Sequence, residues 1–242
     1  MDRHRTLSLV LPAFNEAAGI REAVLEADAA LRTLVSQYEI LVVDDGSSDQ
    51  TAALVAEIAQ KLPQVRLLRH AQNRGYGAAL RTGFAAARFE LVAFTDADCQ
   101  FHLEDLGPLL VLTDTHPIAV GYRVARQDPW RRKFFSWGYN VLVRSLLGTR
   151  VRDCDCALKV FRRDALARLL PESPGFFVNT EMLTRARAVG LSIAEIGVRH
   201  RRRLGGRSKV SLWDVPRTLA VLVPFWWFHA RAATHSLGEV TG

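Results

Sequence analysis

Leu91-Val-Ala-Phe-Thr-Asp-Ala-Asp-Cys-Gln100 is the stretch around which this 242-residue chain is organised. Its first four residues are apolar and read as a short buried strand. The strand runs straight into Asp96-Ala-Asp98. Carboxylates at i and i+2 of an extended segment point to one side, so the two acids are expected together at the strand's carboxyl end. There they repel each other unless a cation lies between them. A hard divalent ion, Mg²⁺ or Mn²⁺, takes oxygen ligands from one or two carboxylates and the rest from water and substrate phosphates. Taken alone, the same residues also read as a loop with two solvated aspartates.

Working toward the N-terminus, the same arrangement recurs. Leu7-Ser-Leu-Val-Leu11 predicts a first strand, followed by Pro12-Ala-Phe-Asn-Glu16 and a helix with Ile20, Val24, Ala27 and Leu31 on one face. Glu39-Ile-Leu-Val-Val43 predicts a second buried strand. Asp44-Asp-Gly-Ser-Ser-Asp49 then opens a helix with Leu54, Ile58 and Leu62 inward. Val65 to Leu68 predicts a third strand. Asn73-Arg-Gly-Tyr-Gly77 is a glycine-punctuated turn into a helix through Phe84. Strand and helix alternating at this spacing predict a mostly parallel, Rossmann-like α/β sheet with helices on both faces, in a single domain. Ligands of such sheets bind at the carboxyl ends of strands. Pro12–Glu16, Asp44–Asp49 and Asp96–Gln100 all fall at such ends, so three polar clusters are expected to share one crevice.

Beyond Gln100 the pattern is less regular. Ile118 to Val120 and Ala157 to Phe161 are strand-like, Trp130 to Leu147 is a basic amphipathic helix, Phe176 to Val189 is helical, and Leu191 to Val198 is extended. Arg199 to Lys209 carries six basic residues around Gly205 and Gly206, which reads as a phosphate-binding lid or as a solvated face. The domain is placed at 1–211. Residues 212–242 form an aromatic, amphipathic tail that suits either a membrane interface or packing on the domain itself.

Composition narrows the class. Hydrophobic residues make up 49% of the chain and its formal net charge is +7, which favours anionic partners such as phosphorylated substrates or an anionic membrane face. Three cysteines, Cys99, Cys154 and Cys156, without a C-x-x-C pair argue against a disulfide framework or zinc site and favour a reducing compartment. No N-terminal secretory pattern is visible. The longest apolar run, Leu219 to Phe228, has ten residues and contains Pro224, short of the roughly 20 a spanning helix needs. A cytoplasmic chain, peripheral at the membrane, is the expectation.

The motifs Pro12–Glu16, Val43-Asp-Asp-Gly-Ser47, Asn73–Gly77 and Asp96–Gln100 together resemble the inverting family 2 glycosyltransferases with a GT-A fold. Gly121-Tyr-Arg123, Arg132 to Ser136, Asp153 to Phe161 and Arg203-Leu-Gly-Gly-Arg-Ser-Lys209 resemble its polyprenyl-phosphate branch, typified by dolichol-phosphate mannose synthase. The similarity runs from about residue 7 to 215. It implies that Pro12, Phe14, Glu16, Val43 and Asp45 line the pocket for the donor's base and ribose. Asp96, Ala97, Asp98 and Gln100 match the metal and diphosphate site, with Asp96, Asp98 and Gln100 as ligands of Mg²⁺ or Mn²⁺. Arg123, Arg203 and Lys209 match basic residues around the diphosphate and form the catalytic set with Asp98. Arg132 and Ser136 match residues that hold the acceptor phosphate, a role that a one-residue shift would give to Arg131 or Lys133.

The resemblance thus implies transfer of a hexose, of mannose or glucose type, from a GDP- or UDP-linked sugar to a dolichyl or undecaprenyl phosphate. The chemistry of the residues agrees. A nucleotide diphosphate leaves poorly until its charge is neutralised, and a metal with arginines beside it does that. An acceptor phosphate is already ionised near neutral pH. A hydroxyl acceptor needs a base, for which Asp153 and Asp155 are the candidates; otherwise they are structural or position the arginines. A non-catalytic nucleotide-sugar-binding subunit, a homo-oligomer or a membrane partner subunit stays open, while nucleic acid is not an expected partner.

Overall fold

The computed structural model describes residues 5–124, 130–173, 175–202, 220–222, 224, 225 and 227, and only the backbone of Arg131, Arg132, Phe134 and Phe135. Seven strands form one sheet: β1 (Thr6–Ala13), β2 (Gln37–Asp44), β3 (Val65–Arg69), β4 (Leu91–Phe94), β5 (Ile118–Val124), β6 (Lys159–Arg162) and β7 (Ile193–Arg199). Their order is β3-β2-β1-β4-β6-β5-β7. Only β6 runs against its neighbours β4 and β5; every other pairing is parallel. The helices are α1 (Ile20–Leu34), α2 (Thr51–Lys61), α3 (Tyr76–Ala86), α4 (Leu106–Leu112), α5 (Trp130–Leu147), α6 (Arg163–Ala167) and α7 (Val178–Ala188).

The central strands are apolar on both sides because helices cover both faces. Alternate residues of β1 show this directly. Leu11 faces Ala23 of α1, whereas Val10 faces α3, where a Cβ added at Gly83 would lie 2.3 Å from a Val10 methyl. Glycine at 83 is what lets that helix settle onto the sheet. On the α3 side, Phe84, Phe94 and Phe161 form an aromatic cluster, with Phe94 and Phe161 stacked at 6.3 Å between centroids.

The expected elements recur, with two differences. In α2 the inward residues are Ala52, Val55 and Ile58, while Leu54 and Leu62 are only partly buried. A 3₁₀ turn at Leu103–Asp105, α4 and α6 are short elements for which no periodic signal was read. In the aromatic tail, Leu222 is fully buried and Phe225 packs edge-on against Phe177 at 5.1 Å. The described part of the tail therefore contributes to the domain's own core, while Val221 and Trp227 are exposed.

Candidate functional site

Register places the three polar clusters at one end of the sheet. Pro12 pairs with Val43 and Ala13 with Asp44, so β1 and β2 finish level, while β4 stops at Phe94 opposite Val10 and is continued by the Asp96–Asp98 turn. Their loops are stitched together by hydrogen bonds. Asn15 N donates to Ser47 Oγ at 2.9 Å, and Ser48 N donates back to Asn15 Oδ1 at 2.9 Å. Glu16 N donates to Thr51 Oγ1 and Ala17 N to Asp49 Oδ2. Asn15 adopts a left-handed φ of 51°, which asparagine tolerates better than most residues. Pro12 and Val43 are buried, while Phe14 and Glu16 are half-exposed at the rim.

Asp45 is the hub of the second loop. Its carboxylate accepts Arg74 N at 2.9 Å and Gly75 N at 2.8 Å, and lies 2.6 Å from His70 Nδ1, whose Nε2 contacts Thr82 Oγ1 at 2.9 Å. The Asn73–Gly77 turn is thus fastened directly to a residue expected in the donor pocket. Gly46, at φ +71°, lies beneath the same segment: a Cβ there would come within 2.4 Å of the Gln72 backbone.

The two acids of Asp96-Ala-Asp98 are not on an extended segment. β4 stops at Phe94, and residues 97 and 98 form a turn that ends at Cys99 with a left-handed φ of 56°. The alternation rule therefore does not apply; the turn sets the carboxylates' placement. Asp98 Oδ1 accepts Gln100 N at 3.1 Å, Ala97 is buried, and Tyr76 Oη donates to Asp96 Oδ1 at 2.9 Å. Burial, with Asp96 beside it, raises the Tyr76 phenol above its ordinary range, so it stays a donor. Gln100 Nε2 reaches Arg201 O at 3.4 Å, and Phe101 bridges to His200, which ties the turn to the end of β7.

An oxygen-only pair of carboxylates fits Mg²⁺ or Mn²⁺. Among the described residues no group of three or more His, Cys, Asp or Glu side chains is placed to hold a metal.

Arg123, near the end of β5, is forked onto Asp153 (Nε–Oδ2 2.6 Å, Nη2–Oδ1 2.8 Å). Asp153 thus positions an arginine, one of the two roles open to it. The 153–156 loop is tied to α5 through Asn140, whose Oδ1 accepts Cys154 N at 2.9 Å and whose Nδ2 donates to Ser136 O at 2.8 Å. Ser136 is therefore anchored to the same unit as Arg123. The Arg132 side chain, Arg203 and Lys209 lie outside the described residues. In the described part of the basic cluster, Arg199 pairs with Glu104 and Asp105, and Arg201 pairs with Glu26.

Lys159 and Asn179 belong to this neighbourhood as well. Lys159 is fully buried in β6, and its Nζ lies 3.0 Å from Asn179 Oδ1 and 5.3 Å from the Phe94 ring centroid. A lysine inside the otherwise apolar run Ala157–Phe161 was the available sequence signal, since lysine is almost never fully buried without partners. Glu181 accepts the Glu172 and Ser173 amides and pairs with Arg185, a structural role.

The family model described as "Glycosyl transferase family 2" matches residues 8–170. The chain belongs to that family. Among curated family 2 relatives, the undecaprenyl-phosphate 4-deoxy-4-formamido-L-arabinose transferase of Enterobacter sp. (strain 638) is 34% identical over 209 residues, covering 85% of this chain and 62% of the relative. The dolichyl-phosphate beta-glucosyltransferase ALG5C of Trichomonas vaginalis is 32% identical, covering 79% and 62%. The chain thus spans a little under two thirds of the relatives it matches. Among solved structures, glucosyl-3-phosphoglycerate synthase from Mycobacterium tuberculosis, in complex with Mn²⁺, UDP-glucose and phosphoglyceric acid, superposes with a TM-score of 0.68. It is 25% identical, over 88% of this chain and 76% of that one. Family and GT-A fold agree with the resemblance read from the motifs.

Proposed function

We propose that this chain is a glycosyltransferase that moves a sugar from a nucleotide diphosphate donor to a polyprenyl phosphate. The observation that carries the reading is the register of β1, β2 and β4, whose carboxyl ends lead into Pro12–Glu16, Asp45 and the Asp96–Asp98 turn at one end of the sheet. The two relatives' names, with their undecaprenyl- and dolichyl-phosphate acceptors, support the acceptor class. The Mn²⁺ and UDP-glucose of the solved relative support the metal and make uridine donors the first to try.

In this reading Phe14, Val43 and Asp45 hold the base and ribose, and Asp96, Asp98 and Gln100 hold the metal. A bound Mg²⁺ or Mn²⁺ supplies Lewis-acid neutralisation of the departing diphosphate. Arg123, with Arg203 and Lys209, adds fixed positive charge where charge develops. Arg132 and Ser136 present the acceptor phosphate for in-line attack with inversion. Peripheral membrane contact is assigned to α5, where Trp130 and Trp137 are 72% and 61% exposed beside exposed Lys133. Among the described residues no helix is long and apolar enough to cross a membrane.

A hydroxyl acceptor is the second reading, and the phosphoglyceric acid in the solved relative favours it. It requires a base, for which Asp155 is the first candidate and Asp153, forked onto Arg123, the second. The deciding experiment is transfer of radiolabelled sugar from UDP-glucose, UDP-N-acetylglucosamine and GDP-mannose, with Mg²⁺ or Mn²⁺, with and without polyprenyl phosphate. Organic-extractable label that needs both metal and lipid phosphate is expected. Metal-dependent donor hydrolysis without lipid labelling would overturn the acceptor assignment.

A further inference from the structure

Lys159 is fully buried at the start of β6, paired in register with Phe94 of β4 and Val120 of β5. Its Nζ faces three neutral oxygens: the backbone carbonyls of Cys154, at 3.1 Å, and Cys156, and Asn179 Oδ1 at 3.0 Å. The Phe94 ring covers a fourth side, with its centroid 5.3 Å from Nζ. Burial lowers the pKa of this lysine. Three acceptors nevertheless call for three N–H groups, which only the ammonium has.

Two of those acceptors are carbonyls two residues apart in one turn, and both aim at one nitrogen. The shared donor is what lets them stay there. Without it, two carbonyl oxygens would be left close together in a dry interior, where an unmade hydrogen bond is most costly. The turn would then have to swing at least one of them away. Asp153 opens that same turn, and its carboxylate carries the Arg123 fork. The next amide, Cys154 N, is fixed to Asn140 Oδ1 of α5, and Cys156 N donates back to Asp153 O at 3.3 Å. The direction of the Asp153 carboxylate is therefore set by a turn that α5 holds by an amide and Lys159 holds by two carbonyls.

We infer that Lys159 is a positioning residue for Arg123: by pinning the Cys154 and Cys156 carbonyls it fixes the turn that aims Asp153, and through Asp153 the guanidinium. Asn179 of α7 takes the third N–H and so fixes where Nζ sits. The effect on turnover rests on the reading of Arg123 as a group beside the donor diphosphate; the effect on the fork does not.

Three readouts test it, two of them without any ligand. Hydrogen exchange at Arg123 Nε–H, followed by NMR of ¹⁵N-arginine, reports the fork directly. Lys159→Met, which keeps the side chain's length and loses the donors, is expected to speed that exchange by about tenfold or more while the amides of β1 keep their protection. Lys159→Gln, uncharged but still an N–H donor, should lie between the parent and the Met variant. Exchange at Arg123 that is unchanged, or faster only in step with β1, overturns the inference. In the unmodified protein the ammonium should show ¹⁵N–¹³C couplings across its hydrogen bonds to the carbonyls of Cys154 and Cys156. Their absence overturns the inference whether or not the variants fold. The third readout is steady-state kinetics. Lys159→Met is expected to lower kcat by roughly a hundredfold, the scale of an ångström of misplacement, with the donor KM nearly unchanged. In an Arg123→Met background the same change should lower turnover no further. A full additional loss there means that Lys159 acts by another route, which overturns the inference. If the fork responds as expected in a chain that transfers no sugar to polyprenyl phosphate, the positioning stands and only the proposed function falls.

Discussion

Arg123 grips Asp153 in a two-bond fork, with the two side chains 7% and 9% exposed. Burial opposes the arginine's charge, but the hydrogen bond and charge of Asp153 outweigh it and raise the guanidinium pKa above its ordinary value. Removing one partner of such a pair leaves the other charged and dry. Asp153→Ala is therefore expected to cost about 3–5 kcal/mol of stability in denaturant titration, and Arg123→Ala/Asp153→Ala less than the sum of the single changes. Asp153→Asn, which keeps an acceptor oxygen, should reduce transfer to polyprenyl phosphate without abolishing it. Complete loss at parental stability would instead make Asp153 the base for a hydroxyl acceptor.

Turnover should stop on chelation by EDTA and return with Mg²⁺ or Mn²⁺ but not with Ca²⁺, whose larger shell suits two carboxylates poorly. Asp98→Ala is expected to lower turnover by more than the roughly 10–100-fold typical of an outer-sphere change, with little change in unfolding temperature, because Asp98 sits half-exposed in a turn. Metal-independent activity in that variant would remove the two-carboxylate site from the reaction.

That the three polar clusters lie at one end of the sheet was legible because the strands before them are mostly apolar and their carboxyl ends carry the polar residues; register then did the rest. The way Asp96 and Asp98 are placed was not legible. Apolar residues announce a strand but not where it stops, and β4 ends at Phe94, before the acids. The partners of Asp45 and Asp96 were hidden for another reason. His70 and Tyr76 lie some twenty or more residues from Asp45 and Asp96 along the chain and meet them only when β3 and α3 pack against the sheet. A turn such as Asn73–Gly77 looks the same in sequence whether its amides bond water or Asp45.

Gly46→Ala tests that turn. The left-handed φ alone costs a side-chain-bearing residue about 1–2 kcal/mol, and the added Cβ would press on the backbone of Gln72 and Asn73 at 2.4–2.7 Å. Relief requires the 72–75 segment to lift off Asp45. The expected outcome is a loss of stability beyond the conformational cost, accompanied by weaker nucleotide binding in calorimetry. Parental nucleotide affinity would mean that the turn and the pocket are independent.

All three cysteines are buried and unpaired. Burial pushes the Cys99 thiol up to about 11, and those of Cys154 and Cys156 up to about 12. At pH 8 the thiolate fraction of Cys99 is then roughly a thousandth, where an ordinary cysteine is substantially ionised. None of the three should react with an aromatic disulfide reagent in the native protein on the timescale on which guanidinium-unfolded chain titrates all three. One fast thiol in the native state would show that the Asp96–Gln100 turn or the 153–156 loop opens.

Trp130, Trp137 and Val141 are exposed at spacings of seven and four, which puts them on one stripe of α5. The helix also carries Ser136, so a bilayer docked on that stripe would bring a lipid phosphate to the acceptor residues. Deleting the tail is a poor test of membrane contact, because Leu222 and Phe225 belong to the domain's own packing. Trp130→Ser and Trp137→Ser are better, since both side chains are largely exposed. Each is expected to weaken binding to anionic vesicles by roughly tenfold, on the order of 1–2 kcal/mol of apolar burial. Raising the salt to about 0.5 M should weaken the remainder, which is electrostatic. Transfer to a short, water-soluble polyprenyl phosphate analogue should be spared in both variants. If vesicle binding survives both changes, the membrane face lies elsewhere on the molecule and α5 presents the acceptor residues without touching lipid.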